Sequence, residues 1–315
     1  MKSLIRKILL GEVAIQEYST ITVPGNIKEQ VLLETVNMTI DVSVTHWLLC
    51  LEPIVFGIWL KDDGQLADQI EKKGCSLYFG NSGDASFKKV KRRAVAVVVA
   101  EYVDKVQEPD GTLYLLRLRK SRIYHFNAVK TWLLFYKYYK KPKFSFKKYK
   151  SLIAAYSYPR RVRLISFNRE EYFNIFPMDL LGQIAGSGKY VFGLRHTNVA
   201  LAEIIETKKI VVSEVPYLFK DIIYQLGKHH RGAPSVDELP FKITQTEKFE
   251  FFIPEWADSY KEIRILETRN LGSHMMLLGE ITNEKILKKS SGNLFHIHFF
   301  LFHRQKLRKE SYPLV

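Results

Sequence analysis

The sequence predicts a mostly β chain with short helices, of the barrel-forming kind and not a doubly wound sheet. Three observations carry this expectation. Alternating or β-branched runs recur along the 315 residues, as in AVAVVVAEY from Ala94, RVRLISF from Arg161 and YKEIRILE from Tyr260. Turn chemistry separates them: in Gln107-Glu108-Pro109-Asp110-Gly111 the proline presets φ and the glycine accepts a positive φ. Helical spacing is confined to short stretches such as Gln65–Lys72, with Leu66, Ala67 and Ile70 on one face.

Taken in order, Met1–Val36 is expected to be an irregular N-terminal arm with a turn at Val23-Pro24-Gly25-Asn26. Thr39–Leu51 and Val55–Ile58 read as strands, Gln65–Lys72 as a helix, and Ala94–Tyr102 with Leu113–Ile123 as a hairpin. Ala128–Lys140 is a helix or strand on the outside of the first half, broken by Pro142, and the stretch to Ser157 is a solvated connecting arm. Arg161–Phe167 opens the second half, and Gly186-Ser187-Gly188 is a turn. Leu218–Leu226 is helical with Gly227 as its C-cap, and Lys228–Thr246 is a long polar loop. Asn270-Leu271-Gly272-Ser273-His274 is a turn into a strand at Met275–Thr282, and Leu294–Phe302 is the last strand. The expected domains are 1–150 and 151–315.

A 46% hydrophobic and 13% aromatic composition gives a globular chain long enough for two cores. The net charge of +15 favours anionic partners. Part of it is the run KYYKKPKFSFKKYK from Lys137, where interleaved lysines and aromatic rings are compatible with nucleic acid, although a solvated arm is the simpler expectation and nucleic acid is not the expected partner. Cys50 and Cys75 have no metal or disulfide spacing, which points to a reducing, cytoplasmic compartment. The apolar part of MKSLIRKILLG is too short for a signal peptide, and no segment is apolar for long enough to span a bilayer.

One stretch repeats. Val55-Phe56-Gly57 recurs as Val191-Phe192-Gly193, and LADQIE from Leu66 as LAEIIE from Leu201, with one residue of slip between the two matches. The second copy places Arg195, His196, Thr197 and Asn198 at a turn before a helix, where cations, a hydroxyl and backbone N–H groups suit a phosphate. The first copy has Asp62 and Asp63 there, which repel one. A duplicated architecture with a single anion site follows.

Three ordered blocks of the second half resemble the flavin reductase-like family of FMN-binding split β-barrels. They are Tyr158-Pro159-Arg160 through Asn174-Ile175-Phe176-Pro177-Met178-Asp179, then LRHTNVALAEIIETKKIVVS from Leu194, then GSHMMLLGEI from Gly272. The resemblance implies a tandem split β-barrel. It implies FMN held by Asn174, Phe176, Pro177, Met178, Asp179 and Leu180, with the phosphate near Arg195, His196, Thr197 and Asn198. It places His274 on the family's active-site histidine. It further implies NAD(P)H as electron donor and a pair of subunits about the flavin, built here within one chain as a pseudo-dimer or between two chains. Ser273 stands where the family commonly has Asp, Met178-Asp179 where it has small hydroxyl residues, and Ala200 where another hydroxyl is expected. A non-catalytic flavin-binding or electron-transfer module is therefore the alternative to a flavin reductase-type oxidoreductase.

Aligning a nicotinamide against a flavin and stabilising its reduced form needs positioned donors and no nucleophile or metal. Lys228-His229-His230-Arg231-Gly232 is a candidate dinucleotide-phosphate contact. His296 and His298, two apart on a strand, share a face, but no acidic or cysteine partner is near in sequence and no metal site is expected.

Overall fold

The computed structural model describes residues 18–23, 27, 29–61, 64–81, 86–139, 144–169, 172–289 and 292–307. Strand β1 (Tyr18–Val23) precedes the first half, which runs β2 (Glu29–Glu34), β3 (Thr39–Asp41), β4 (His46–Leu51), β5 (Ile54–Leu60), α1 (Gly64–Lys73), β6 (Cys75–Asn81), α2 (Phe87–Arg92), β7 (Ala96–Glu108) and β8 (Gly111–Ile123). Helix α3 (Ala128–Leu134), a π turn (Phe135–Tyr139) and α4 (Phe146–Ala155) lead to the second half. That half runs β9 (Arg160–Arg161), β10 (Arg163–Arg169), β11 (Tyr172–Met178), β12 (Leu181–Ile184), β13 (Lys189–Arg195), α5 (Leu201–Thr207), β14 (Lys209–Glu214), α6 (Lys220–Gln225), β15 (Ile243–Gln245), β16 (Phe252–Pro254), β17 (Ser259–Asn270), β18 (His274–Ile286), β19 (Asn293–His298) and α7 (Phe299–Leu307).

Each half forms a seven-stranded antiparallel sheet, and the two have the same plan. The orders are β3-β2-β6-β7-β8-β5-β4 and β11-β10-β14-β17-β18-β13-β12. Matching them strand for strand pairs β8 with β18 and β5 with β13, and the helices α1 and α5 that follow β5 and β13 also correspond; the sequence repeat lies on β5/β13 and α1/α5. The fold is mostly β, two antiparallel sheets of matching strand order with short helices. One apolar cluster joins the halves: Leu49, Cys50, Trp59 and Leu113 from the first pack with Ile184, Val191, Met276 and Leu278 from the second. The equivalent glycines show how close the join is. A Cβ on Gly193 would overlap the Leu49 carbonyl oxygen, whereas one on Gly57 would meet side-chain atoms alone, of Leu49 and Leu113.

Several expectations are corrected. The N-terminal arm is not irregular throughout, since β1 pairs with β19 and β2 with β6, and Val31, Leu32 and Leu33 are fully buried. The connecting arm is not a solvated strap. Ser145 caps α4, its Oγ accepting from the Lys148 N–H, and Tyr149, Ile153, Ala154 and Ala155 are buried at helical spacing. Gly227 does not end a helix, because 3-10 turns continue to His230. Leu294–Phe302 is not one strand: β19 stops at His298, whose Nδ1 accepts from the Phe300 N–H and turns the chain into α7. Past His298 the sequence Phe299-Phe300-Leu301-Phe302 is wholly apolar and has no period to reveal that switch. Asp62 and Asp63 lie outside the described residues.

Candidate functional site

The second copy of the repeat, β13 and the turn after it, lies beside β18. In the ladder Arg195 is paired with His274 and Gly193 with Met276. The turn is held from within. The His196 N–H donates to the Ser273 carbonyl (3.2 Å), the Asn198 N–H to Arg195, the Val199 N–H to His230, and the Leu201 N–H to Asn198. Asn198 Oδ1 accepts from the Ala200 N–H (2.9 Å). Five backbone donors near the helix start are thus already engaged, and α5 is only seven residues long. This corrects the expectation of free N–H groups for a phosphate. What the turn offers is side chains.

Those side chains edge a cavity of about 780 Å³ between the β11–β12 connection, the end of β13, the Lys228–Arg231 turn and the first half. Pro177, Met178, Asp179, Leu180, Arg195, Thr197, Asn198 and His274 line it, as do Leu51, Tyr156, Arg160, Lys228, His230, Arg231 and His296. The volume is in the range of pockets that enclose a cofactor. Arg195, Lys228 and Arg231 have no carboxylate partner among the described residues, so the rim is cationic.

Three expected site residues do not line the cavity. Phe176 is fully buried behind it, 4.8 Å from the His230 ring. Asn174 is also fully buried, donating from Nδ2 to the His229 carbonyl (3.1 Å). His196 is exposed, with Nε2 3.2 Å from Asn270 Oδ1. The Lys228–Arg231 turn is anchored and not a free lid: His229 Nδ1 donates to the Ile175 carbonyl (2.8 Å), and His230 Nε2 to the Pro177 carbonyl (2.9 Å). With Asn198 Nδ2 donating to its Nδ1 (2.8 Å), His230 is neutral and fully partnered. Burial lowers its pKa, and Arg195 adds to that.

His274 is buried, and its state follows from the neighbouring turn of the first half. Ser273 Oγ accepts from the Glu52 N–H (3.0 Å), so its own proton is available to His274 Nδ1 at 2.8 Å. The imidazole proton then resides on Nε2, which is buried and has no partner among the described residues. Burial, reinforced by Arg195 and His196, lowers the His274 pKa to about 4, so the ring is neutral at physiological pH. It is an orphaned N–H donor in the wall of a cationic cavity.

Asp179 supplies the one carboxylate of the lining. It pairs with Arg160 (3.1 Å) and accepts from His296 Nδ1 (2.8 Å). Burial alone would raise its pKa, but Arg160 and His296 outweigh that and hold the carboxyl below its ordinary range. Arg160 in turn lies 3.9 Å over the Tyr156 ring. The acidic partner of His296 is therefore far away in sequence. One carboxylate is not a metal set, and no cluster of three or more metal-ligating side chains occurs among the described residues. Tyr156 and Leu51 escaped the sequence reading because only the packing of α4 and β4 on the second half brings them here, and the Arg160–Asp179 pairing because it depends on β9 lying beside β19, where Arg160 stands opposite His296. Both cysteines are free and buried, and no described helix is long and apolar enough to cross a membrane.

No family model and no curated protein matches the chain. Among solved structures it is similar to an FMN-binding protein from Thermus thermophilus, at 18% identity over 46% of this chain and 85% of that one, with a TM-score of 0.40. It is also similar to an NADH:FAD oxidoreductase from Streptomyces globisporus, at 15% identity over 50% and 90%, with a TM-score of 0.43. A flavoredoxin from Methanosarcina acetivorans matches at 16% identity over 41% and 69%, with a TM-score of 0.36. Each is a likeness in fold over half of this chain or less.

Proposed function

We propose that this chain binds FMN in the 780 Å³ cavity and acts as a flavin reductase-type oxidoreductase with NAD(P)H as electron donor. The observation that carries the reading is a cavity with a cationic rim, an apolar floor and an orphaned buried donor at His274 Nε2. The residues suit the cofactor. Leu51, Tyr156, Met178, Leu180 and Leu194 offer apolar surface to a flat ring system, and Arg195, Lys228, Arg231 and Thr197 offer charge and a hydroxyl to a phosphate. His274 Nε2–H is held as a neutral donor to an acceptor atom of the ring system, fixed by Ser273 and Glu52. The Arg160–Asp179–His296 group closes one wall with its charges compensated. When bound, the flavin supplies two-electron hydride chemistry; the protein binds, orients and shields it.

The matched sheets support a further reading: the halves, divided near residue 150, are copies of one unit, and the first takes the place that a partner subunit would hold in a dimer. The two free cysteines support a reducing compartment such as the cytoplasm. A non-catalytic flavin-binding or electron-transfer module is the second reading, because Asp179 is locked to Arg160 and His296 where the family resemblance leads one to expect a small hydroxyl.

Titrating the purified chain with FMN and following flavin fluorescence tests the first claim. Saturable quenching at one FMN per chain is expected, and Arg195→Glu lowers the affinity by roughly thirtyfold or more, since a charge-assisted contact is worth about 2 kcal/mol. A chain that takes up no FMN ends the proposal. A yellow protein that leaves NAD(P)H unoxidised in the presence of free flavin selects the second reading.

A further inference from the structure

Sixteen of the 48 lysines and arginines fall between Gly111 and Arg169, a stretch with no aspartate or glutamate. The other 32 are balanced by all 33 acidic residues, so this one stretch carries the whole positive excess of the chain. It contains β8, α3, the π turn and α4. On the surface it presents Lys120, Arg122, Lys137, Lys147 and Lys148, all exposed.

Within that basic region, α3 and the π turn are apolar on both sides. The inner side is accounted for: Leu134 and Phe135 are buried in a cluster with Tyr149, Ile153, Phe299 and Phe300. The outer side is not. Val129, Trp132, Leu133 and Tyr136, at i, i+3, i+4 and i+7, form a single stripe and are 69%, 48%, 37% and 56% exposed. A helix of a soluble domain normally turns polar residues outward at these positions, and contiguous exposed apolar stripes mark contact surfaces.

We propose that this face docks the protein on an anionic lipid bilayer, lying in the headgroup plane without crossing it. Three features favour lipid over other occupants. Trp and Tyr are the rings that settle at headgroup depth, and lysines flanking them meet anionic headgroups while their stems lie along the apolar layer. Trp132 and Tyr136 stack on each other, with centroids 5.5 Å apart at 18°, so their facing sides are not open to nucleic acid bases, and Val129 and Leu133 have no counterpart in a sugar–phosphate chain. A second copy of the chain would bring two strongly cationic surfaces together.

Sedimentation of the full chain with vesicles tests this. Vesicles of phosphatidylcholine containing about a third phosphatidylglycerol should carry the protein into the pellet, pure phosphatidylcholine should not, and raising the salt should release it. Trp132→Ala with Leu133→Ala should lower the bound fraction roughly tenfold at an unchanged circular-dichroism spectrum. Lys120→Glu with Lys147→Glu, which leaves the apolar face intact, should lower it as well and covers the case in which the first variant fails to fold. The blue shift of tryptophan fluorescence on adding anionic vesicles should vanish in Trp132→Ala. The proposal is overturned if the wild type stays in the supernatant at low salt, or if both double variants bind as it does. It is also overturned if polyuridylate strips the protein from vesicles through the same residues, or if Trp132→Ala turns a dimer into a monomer.

Discussion

The two halves of the molecule share strand order and ladder register, yet they treat the same positions in opposite ways. Where β13 meets β18, Arg195 stands opposite His274; where β5 meets β8, Trp59 stands opposite Leu113. The first pair lines a cavity of about 780 Å³. The second pair is buried in the cluster that joins the halves. The connection leading into β12 carries Asp179, charged and paired, whereas β4, the strand that matches β12 in the first half, begins with the neutral His46. The groove around His46, Trp47 and Gln183 is only about 230 Å³. A shared scaffold thus carries a lined cavity at one set of positions and a packed apolar join at the matching set, and a handful of side chains makes the difference.

Exchanging the side chains across this comparison should have unequal results. Trp59→Arg places an unpaired guanidinium in an apolar join where Trp59 is 4% exposed and Leu113 fully buried, and should cost about 4 kcal/mol or more, enough to unfold much of the protein. Urea unfolding would show it; a loss under about 1 kcal/mol would mean that the first half tolerates a polar site after all. Next in size is the glycine pair. Gly193→Ala drives a methyl into the Leu49 backbone and should cost about 3 kcal/mol, while Gly57→Ala meets a side-chain end that can rotate and should cost about 1 kcal/mol. Equal losses would show that the two strands are equally tightly apposed and that the asymmetry of the join has been misread.

Acid should separate His46 from Asp179 by pH window. His46 donates from Nδ1 to the Val42 carbonyl (2.8 Å), and burial lowers its pKa from 6.5 to about 4. Its unfolded form therefore binds a proton that the folded form refuses, so stability is intact above pH 6.5 and falls as the pH drops toward 4. Asp179 is the opposite case, held below the ordinary carboxylate value of 3.8, so its contribution is present above that value and is lost only as the pH falls below it. Between pH 7 and pH 5 the His46 share should be about 2 kcal/mol. His46→Gln should flatten the pH dependence of the urea midpoint in that range by about this amount, and Asp179→Asn should not.

The sequence exposed the parts of this comparison that local pattern controls. Alternation in AVAVVVAEY and RVRLISF, the Pro109-Asp110-Gly111 turn and the Phe-Gly repeat located strands, hairpins and the equivalence of β5 with β13. Arg195, Thr197 and His274, picked out by a turn beside a repeat and by a family-like block, all line the cavity. What escaped was set by distant packing. Nothing in YSYPRR tells that Tyr156 and Arg160 will reach Asp179, and nothing near His274 tells that Ser273 is gripped by Glu52 of the other half. Asn174 and Phe176 share a face of β11 with Met178, which does line the cavity, but they lie behind the Lys228–Arg231 turn, whose His229 and His230 cover them, and that cover was not readable from one sequence.

The smallest effect is also the most specific. If His274 contributes a neutral Nε2–H donor, His274→Gln retains an N–H near that place and His274→Phe does not. FMN affinity should fall about tenfold in His274→Phe, the worth of roughly one hydrogen bond to a neutral group, and recover in part in His274→Gln. The counterpart Leu113→Ala should leave FMN affinity unchanged while costing about 3 kcal/mol of stability, since it opens a cavity in the join and removes nothing that a ligand touches. Ser273→Ala adds a control on the tautomer. Without the Oγ donor at Nδ1 the ring is free to place its proton on either nitrogen, so affinity should fall by a few-fold although no cavity-lining atom of His274 has changed. A Ser273→Ala protein that binds FMN as tightly as the wild type would mean that His274 meets its ligand as an acceptor or not at all.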